Sequence, residues 1–229
     1  MPVKFSFIIP TLNEGDYIGD CIRSIKNQTI HNYEIIVADS YSKDRTKEIA
    51  ESMGAKIVLE ARRGPAVARN TGASAASGSI FVFADADVRF EKDFLEKLEN
   101  QLGSAGGCIF HLNVYDADNA AEIISYRTVN YLVKFLISIG MPMTAGSCFA
   151  FREDIFKKVG GFRTEFMTNE DHDLAKRVYK IARFKILNIN IYTSTRRSKR
   201  MGFLKLMKIY AKSTFTFLLN NKPIHGYWA

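Results

Sequence analysis

The feature that most constrains this chain is a rhythm in its first hundred residues. Short apolar runs with strand character alternate with stretches of helical spacing. Residues 4–9, 33–38, 56–60 and 79–84 read as strands; residues 15–27, 43–53, 65–76 and 91–102 read as helices. Tyr17, Ile18, Cys21, Ile22 and Ile25 share one face of the first helix, and Ser42 is placed to cap the second. Strands apolar at every position are buried on both faces. The expected fold class is therefore α/β, a mostly parallel sheet with helices on both faces.

Beyond residue 100 the pattern loosens. Residues 107–114, 145–151 and 184–192 read as strands, and 119–139, 170–182 and 203–219 as helices, with a turn at Gly160-Gly161-Phe162. A chain of 229 residues, 47% hydrophobic, suits one body over residues 1–202 with a basic amphipathic segment at 203–229.

The net charge of +8 is unevenly placed. No Asp or Glu follows Asp173, whereas 13 Lys and Arg do; the first 173 residues hold 19 basic and 24 acidic side chains. That asymmetry points to an anionic partner: a phosphate-bearing substrate, a membrane surface or nucleic acid. No nucleic-acid motif accompanies the charge, so nucleic acid is not expected. Cys21, Cys108 and Cys148 lack metal-ligand spacing and read as small buried hydrophobes in a reducing cytosol. The N-terminus runs directly into a strand rather than a secretory segment, and no apolar run reaches the roughly 20 residues a bilayer span needs. The expected localisation is cytoplasmic, with peripheral contact at the inner face of the cell membrane as an option.

In parallel sheets, ligands bind beyond the carboxyl ends of the strands. Four polar features fall there: Pro10-Thr11-Leu12-Asn13-Glu14, Asp39-Ser40, Arg62-Arg63-Gly64 and Asp85-Ala86-Asp87. Two carboxylates one residue apart at a strand end can hold a hard divalent cation, Mn2+ or Mg2+, although acidic pairs are also common in turns. The Asp39 carboxylate can accept from the N–H of uracil or guanine. Arg69, one turn into the third helix, can meet a base or phosphate or stand as an exposed charge. Glu170-Asp171-His172-Asp173 opens a helix; mutual repulsion can keep one carboxylate basic, which makes Asp171 a candidate general base. Arg196 and Arg197, in Thr193-Ser194-Thr195-Arg196-Arg197, can clamp a diphosphate or a phosphorylated acceptor, or form a solvated basic loop.

Taken in order, these segments resemble glycosyltransferase family 2, with its GT-A fold, over about residues 4–202. Pro10, Thr11, Asn13 and Glu14 are similar to the family's opening motif. Val37 to Thr46 resembles its nucleotide-binding turn, with Ser40 and Tyr41 where a second Asp and a Gly are common. Residues 64–72 are similar to its Gly…Ala-Arg-Asn…Gly stretch, and Asp85-Ala86-Asp87 to its metal motif. Glu170-Asp171 resembles the motif whose Asp is the catalytic base. Thr193 to Arg197, followed by Gly202, is similar to a short-chain subgroup with a Thr-Ser-x-Arg-Arg loop.

The resemblance implies a nucleotide-sugar-binding half (residues 1–100) and an acceptor half (101–202). It puts Arg63, Arg69, Asp85, Ala86, Glu170, Arg196 and Arg197 with Pro10 to Glu14 and Asp39 on the nucleotide-sugar side, and makes Asp87 the direct metal ligand with Asp85 beside it. It implies an inverting displacement from a UDP- or GDP-sugar, with Asp171 deprotonating the acceptor and no covalent intermediate.

The acceptor is less constrained. A polyprenyl phosphate suits the basic tail, but it is already anionic and needs no base. The dolichyl-phosphate synthases typically carry Gln after the metal motif, where this chain has Val88-Arg89. A hydroxyl acceptor is therefore favoured: a glycan, a lipid-linked glycan or a small molecule. Residues 203–219 set Lys205, Lys208 and Lys212 beside a stripe of Leu204, Met207, Ala211, Phe215 and Leu218, which suits either a membrane interface or packing on the catalytic body; Tyr227 and Trp228 suit both. Two rivals are a sugar nucleotidyltransferase, whose triphosphate loop is missing after the first strand, and a non-catalytic nucleotide-sugar-binding protein.

Overall fold

The structure is a computed structural model that describes residues 3–144 and 146–220. The chain starts as the alternation predicts. Strands β1 (Phe5–Thr11), β2 (Tyr33–Asp39), β3 (Lys56–Leu59) and β4 (Ile80–Ala84) are linked by helices α1 (Ile18–Lys26), α2 (Thr46–Ser52) and α3 (Pro65–Ser74). There follow β5 (Arg89–Phe90), α4 (Phe94–Leu102), β6 (Gly107–Val114), α5 (Ala120–Ser138), β7 (Cys148–Arg152) and α6 (Glu153–Lys158). The last elements are α7 (Glu170–Tyr179), β8 (Phe184–Thr193), α8 (Arg196–Met201) and α9 (Phe203–Asn220).

The strands form one sheet in the order β3-β2-β1-β4-β7-β6-β8-β5. β1 to β4 are mutually parallel, β6 is parallel to β8, and β7 is antiparallel to both neighbours, as β5 is to β8. Strand alternation divides the core in two. Phe5, Phe7, Ile9, Val82 and Ala150 point to the side covered by α1 and α4; Ile8, Phe81, Phe83, Phe149 and Phe151 point to the side covered by α3, α6 and α7. The mostly parallel sheet with helices on both faces is thus as expected. The three cysteines are free and buried, as small hydrophobes would be.

Gly72 lets α3 lie close on the sheet. A methyl group there would sit 2.5 Å from Ile8 Cγ2.

Several boundaries differ from the sequence expectation. Helix α2 begins at Thr46, not residue 43, and Ser42 does not cap it. The cap position falls on Arg45, which makes no side-chain cap hydrogen bond; Asp44, just ahead of it, accepts from the Thr46 N–H at 3.1 Å, and Ser42 is bonded to Asp39. Short elements too brief for a periodic signal, β5, α6 and α8, were not foreseen. The last strand before α6 begins at Cys148; Ala145 lies outside the described residues, as do Tyr227 and Trp228.

Candidate active site

Asp39 closes β2 in register with Thr11, the last residue of β1. It is 2% exposed and its carboxylate is already held in place. Thr11 Oγ1 donates to Oδ1 at 2.9 Å, the Ser42 N–H donates to Oδ2 at 2.9 Å, and Ser42 Oγ donates to Oδ1 at 2.5 Å. The turn that brings Ser42 round puts Tyr41 at φ 58, in the left-handed region. Across from it, Asn13 has φ 57, and its Oδ1 accepts the Lys43 N–H at 2.8 Å. The Gly15 N–H donates to Asp44 at 2.9 Å. The loops after β1 and β2 are thereby laced into one rim beside Asp39. Pro10 pairs in register with Ala38 within that edge, and Arg63 stands exposed in the loop after β3.

Asp85 and Asp87 follow β4, and each meets an arginine. Arg69 is 4% exposed, so an exposed helix charge does not describe it. It ion-pairs with Asp85 at 3.0 Å on one side and with Glu170 on the other. Its guanidinium lies 5.2 Å from the Phe149 ring centroid and 5.8 Å from that of Phe162. A buried cation of this kind is tolerated because two carboxylates and two rings replace its water. One side chain from α3 therefore links the end of β4 to the start of α7.

Arg196, at the start of α8, makes the second connection. Its Nε–H donates to Asp87 Oδ2 at 2.7 Å, its other two nitrogens fork onto the Glu14 carboxylate, and its guanidinium sits 4.3 Å from the Tyr17 ring centroid. Burial raises the pKa of Asp87 and of Glu14, and the Arg196 charge opposes the rise at both. Asp116 shapes the loop that carries Arg196. It accepts Ser194 Oγ and the Thr195 N–H, each at 2.7 Å. Sequence reasoning missed Asp116, which carries no local motif.

A cavity of about 30 Å³ opens between Asp85, Asp87, Ser147, Thr193, Ser194 and Arg197, with Tyr126 of α5 and Tyr210 of α9 closing it. Its protein donors are hard oxygens, which suits Mg2+ or Mn2+. Among the described residues no group of three or more His, Cys, Asp or Glu could hold a metal. A cation there would take Asp87 and Asp85 and fill its remaining positions from a diphosphate and water, a common arrangement for Mg2+. The residues fit such an ion on that basis.

Asp171 lies at the first turn of α7, 6% exposed. Thr144, in the segment between α5 and β7, donates its hydroxyl to Asp171 Oδ2, and the His172 N–H donates to Oδ1 at 2.9 Å. Thr144 Oγ1 is also 2.7 Å from His172 Nδ1. A hydroxyl has one proton. Asp171 Oδ2 and His172 Nδ1 both face it, and the Thr144 N–H donates to that nitrogen at 3.3 Å.

Burial would raise the pKa of Asp171, but the His172 charge, the Thr144 hydroxyl, Arg69 and the His172 N–H together lower it. The carboxylate held up is its neighbour. Burial foremost, with Asp171 adding repulsion against the pull of Arg69, raises Glu170 to about 7. The repulsion argument from sequence thus applies to Glu170 rather than Asp171. Thr144 was also missed; it lies 27 residues from Asp171 in an unremarkable loop.

The model for glycosyl transferase family 2 matches residues 6–160. The chain belongs to glycosyl transferase family 2. It is 30% identical over 184 residues to glycosyltransferase AglE of Haloferax volcanii, an alignment covering 75% of this chain and 60% of that one. Mannosyltransferase PcManGT from Pyrobaculum calidifontis, solved with GDP-Man and Mn2+, superposes with a TM-score of 0.69 at 23% identity, over 85% of this chain and 57% of that chain. S. aureus TarS 1-349, solved with UDP-GlcNAc, superposes with a TM-score of 0.68 at 21% identity, over 85% of this chain and 59% of that one. These neighbours show that the fold is GT-A. The chain spans about three-fifths of the length of AglE.

Proposed function

We propose that this family 2 member transfers a sugar from a UDP- or GDP-sugar to a hydroxyl acceptor, with inversion at the anomeric carbon. The observation that carries this reading is the Arg69 bridge, which joins Asp85 of the metal motif to Glu170, the residue before Asp171. Donor-side and acceptor-side carboxylates are held as neighbours by one buried guanidinium. The division into a donor half over residues 1–100, an acceptor half over 101–202 and the segment from 203 onward belongs to the same reading.

Asp39 receives the base, pre-set by Thr11 and Ser42 so that its carboxylate reorganises little on binding. A divalent cation held by Asp87 and Asp85 would neutralise the diphosphate as it departs. Arg196 and Arg197 lie beside the same carboxylates and take up diphosphate charge. Asp171 accepts the acceptor's hydroxyl proton as that oxygen attacks the anomeric carbon, and the bond to the diphosphate breaks. Its lowered pKa keeps it ionised at neutral pH. The acceptor, a glycan or a lipid-linked hydroxyl, displaces the Thr144 hydroxyl from Asp171 Oδ2.

The reading is tested by slow release of nucleoside diphosphate in a panel of UDP- and GDP-sugars with Mn2+. Asp87→Ala abolishes that release. Release from the wild type that EDTA leaves unchanged sinks the metal assignment, and a panel in which no donor binds sinks the reading.

A further inference from the structure

We propose that the outward faces of α5 and α9 form a docking surface for an anionic lipid bilayer. Helix α5 is 19 residues long, yet among its described side chains only Glu122, Asn130 and Val133 are buried. Tyr131 is 75% exposed, Ile124 and Phe135 59%, Ile139 53% and Leu132 51%. At about 100° per residue these five fall within an arc of about 100°. Arg127 and Lys134, both exposed, border that arc on one side. A helix facing bulk water carries polar residues there; within this arc Thr128 is the one polar side chain, and an apolar strip of this kind marks an interaction surface.

Helix α9 repeats the design. It packs on the body through Leu206 and Phe217, both buried. Phe217 lies 5.7 Å from the His172 ring, and Ser213 is hydrogen-bonded to Asn169 at 3.0 Å. The opposite side keeps Leu204 74% and Phe215 63% exposed, with Lys205, Lys208 and Lys212 beside them. One face of the helix therefore packs on the body, and the other remains in solvent. Tyr126 of α5 and Tyr210 of α9 meet at the cavity beside Asp85 and Asp87, so both helices flank the site.

Charge selects the occupant. The two outward faces carry five cations and no exposed carboxylate; Glu122, the single acid of α5, is buried, and α9 has none. A second copy of the same surface would set cations against cations. Large apolar side chains bordered by Lys and Arg match the interface of an anionic bilayer, where the rings and aliphatic chains enter the acyl boundary and the cations meet headgroup phosphates. No described helix is long and apolar enough to cross a membrane, so the contact lies in the plane of the surface.

The test is co-sedimentation with vesicles of phosphatidylglycerol and phosphatidylcholine, with pure phosphatidylcholine as the reference. The expected result is binding at least about tenfold tighter to the anionic vesicles, weakened by added salt. Tyr131→Glu with Phe135→Glu lowers it at least about tenfold, as does reversal of Lys205, Lys208 and Lys212 to Glu. Binding that these variants leave unchanged, no binding to anionic vesicles, or a dimer that the Tyr131→Glu and Phe135→Glu changes dissociate would each overturn the proposal. Donor hydrolysis is measured on the same variants without vesicles and is expected unchanged. Loss of vesicle binding is thereby separated from failure of the transferase reading, because no nucleotide enters the vesicle assay.

Discussion

Arg196 donates its Nε–H to Asp87 Oδ2 at 2.7 Å while its remaining nitrogens hold Glu14. On the proposed reading Asp87 would also hold a divalent cation, so arginine and metal would compete for one carboxylate. Charge-assisted hydrogen bonds of this kind contribute about 1.5–3 kcal/mol. Arg196→Gln is expected to tighten Mn2+ binding in the absence of nucleotide by about tenfold or more, while donor turnover falls by at least a similar factor. Calorimetric titration with Mn2+ and a nucleoside diphosphate release assay read the two effects separately. Looser Mn2+ binding in the variant would show that Arg196 supports the metal site instead.

Asp171→Asn keeps the shape of the side chain and removes its basicity. Transfer to a hydroxyl acceptor is expected to fall by about 10²–10⁴, with nucleotide binding retained. Steady-state kinetics alongside nucleotide titration make the comparison. Unchanged transfer would point to an acceptor that is already anionic, or to another base.

Thr144 stabilises the charged form of Asp171 by donating to it. Removing that donor favours the protonated form, so Thr144→Val should move the acid limb of the kcat/KM pH profile for transfer upward. Thr144→Ser keeps the hydroxyl and should restore the wild-type limb. A limb that stays in place in the valine variant contradicts the role given to Thr144.

The elevated pKa of Glu170, about 7 against 4.5 for the free side chain, links stability to pH. The folded protein binds this proton more tightly than the unfolded chain does. The associated stability is fully present below about pH 4.5 and is lost as pH rises through about 7. Glu170→Gln mimics the protonated side chain, so its melting temperature should gain on the wild type across that window. Parallel melting curves for the two proteins would count against the shift.

Gly72 faces Ile8 so closely that a methyl group would lie 2.5 Å from Cγ2. Gly72→Ala should overpack the seam between α3 and β1 and cost about 1–3 kcal/mol, seen as a lower denaturation midpoint. A midpoint at or above that of the wild type would mean the helix shifts without cost.

The chain's local patterns determined much of this protein. The run Phe5-Ser6-Phe7-Ile8-Ile9, buried at every position, and the helical spacing of Ile18, Cys21, Ile22 and Ile25 are short-range properties, and they were enough to place the parallel sheet and its flanking helices. The polar residues that end β1, β2 and β4 were likewise legible, because strand ends in a parallel sheet share one edge. Pairing across the chain was not. Arg69 meets Glu170 across 101 residues, Arg196 meets Glu14 across 182, and Thr144 reaches Asp171 from a loop without a motif. Nor did periodicity tell which side of residues 203–219 faces the body: Leu206 and Phe217 pack inward while the Leu204 and Phe215 stripe stays outside. Sequence spacing sets which residues share a face of one element. Only the folded path, with its reversed strand β7 and the return of β8 to the sheet, decides which faces meet and which arginine each buried carboxylate is given.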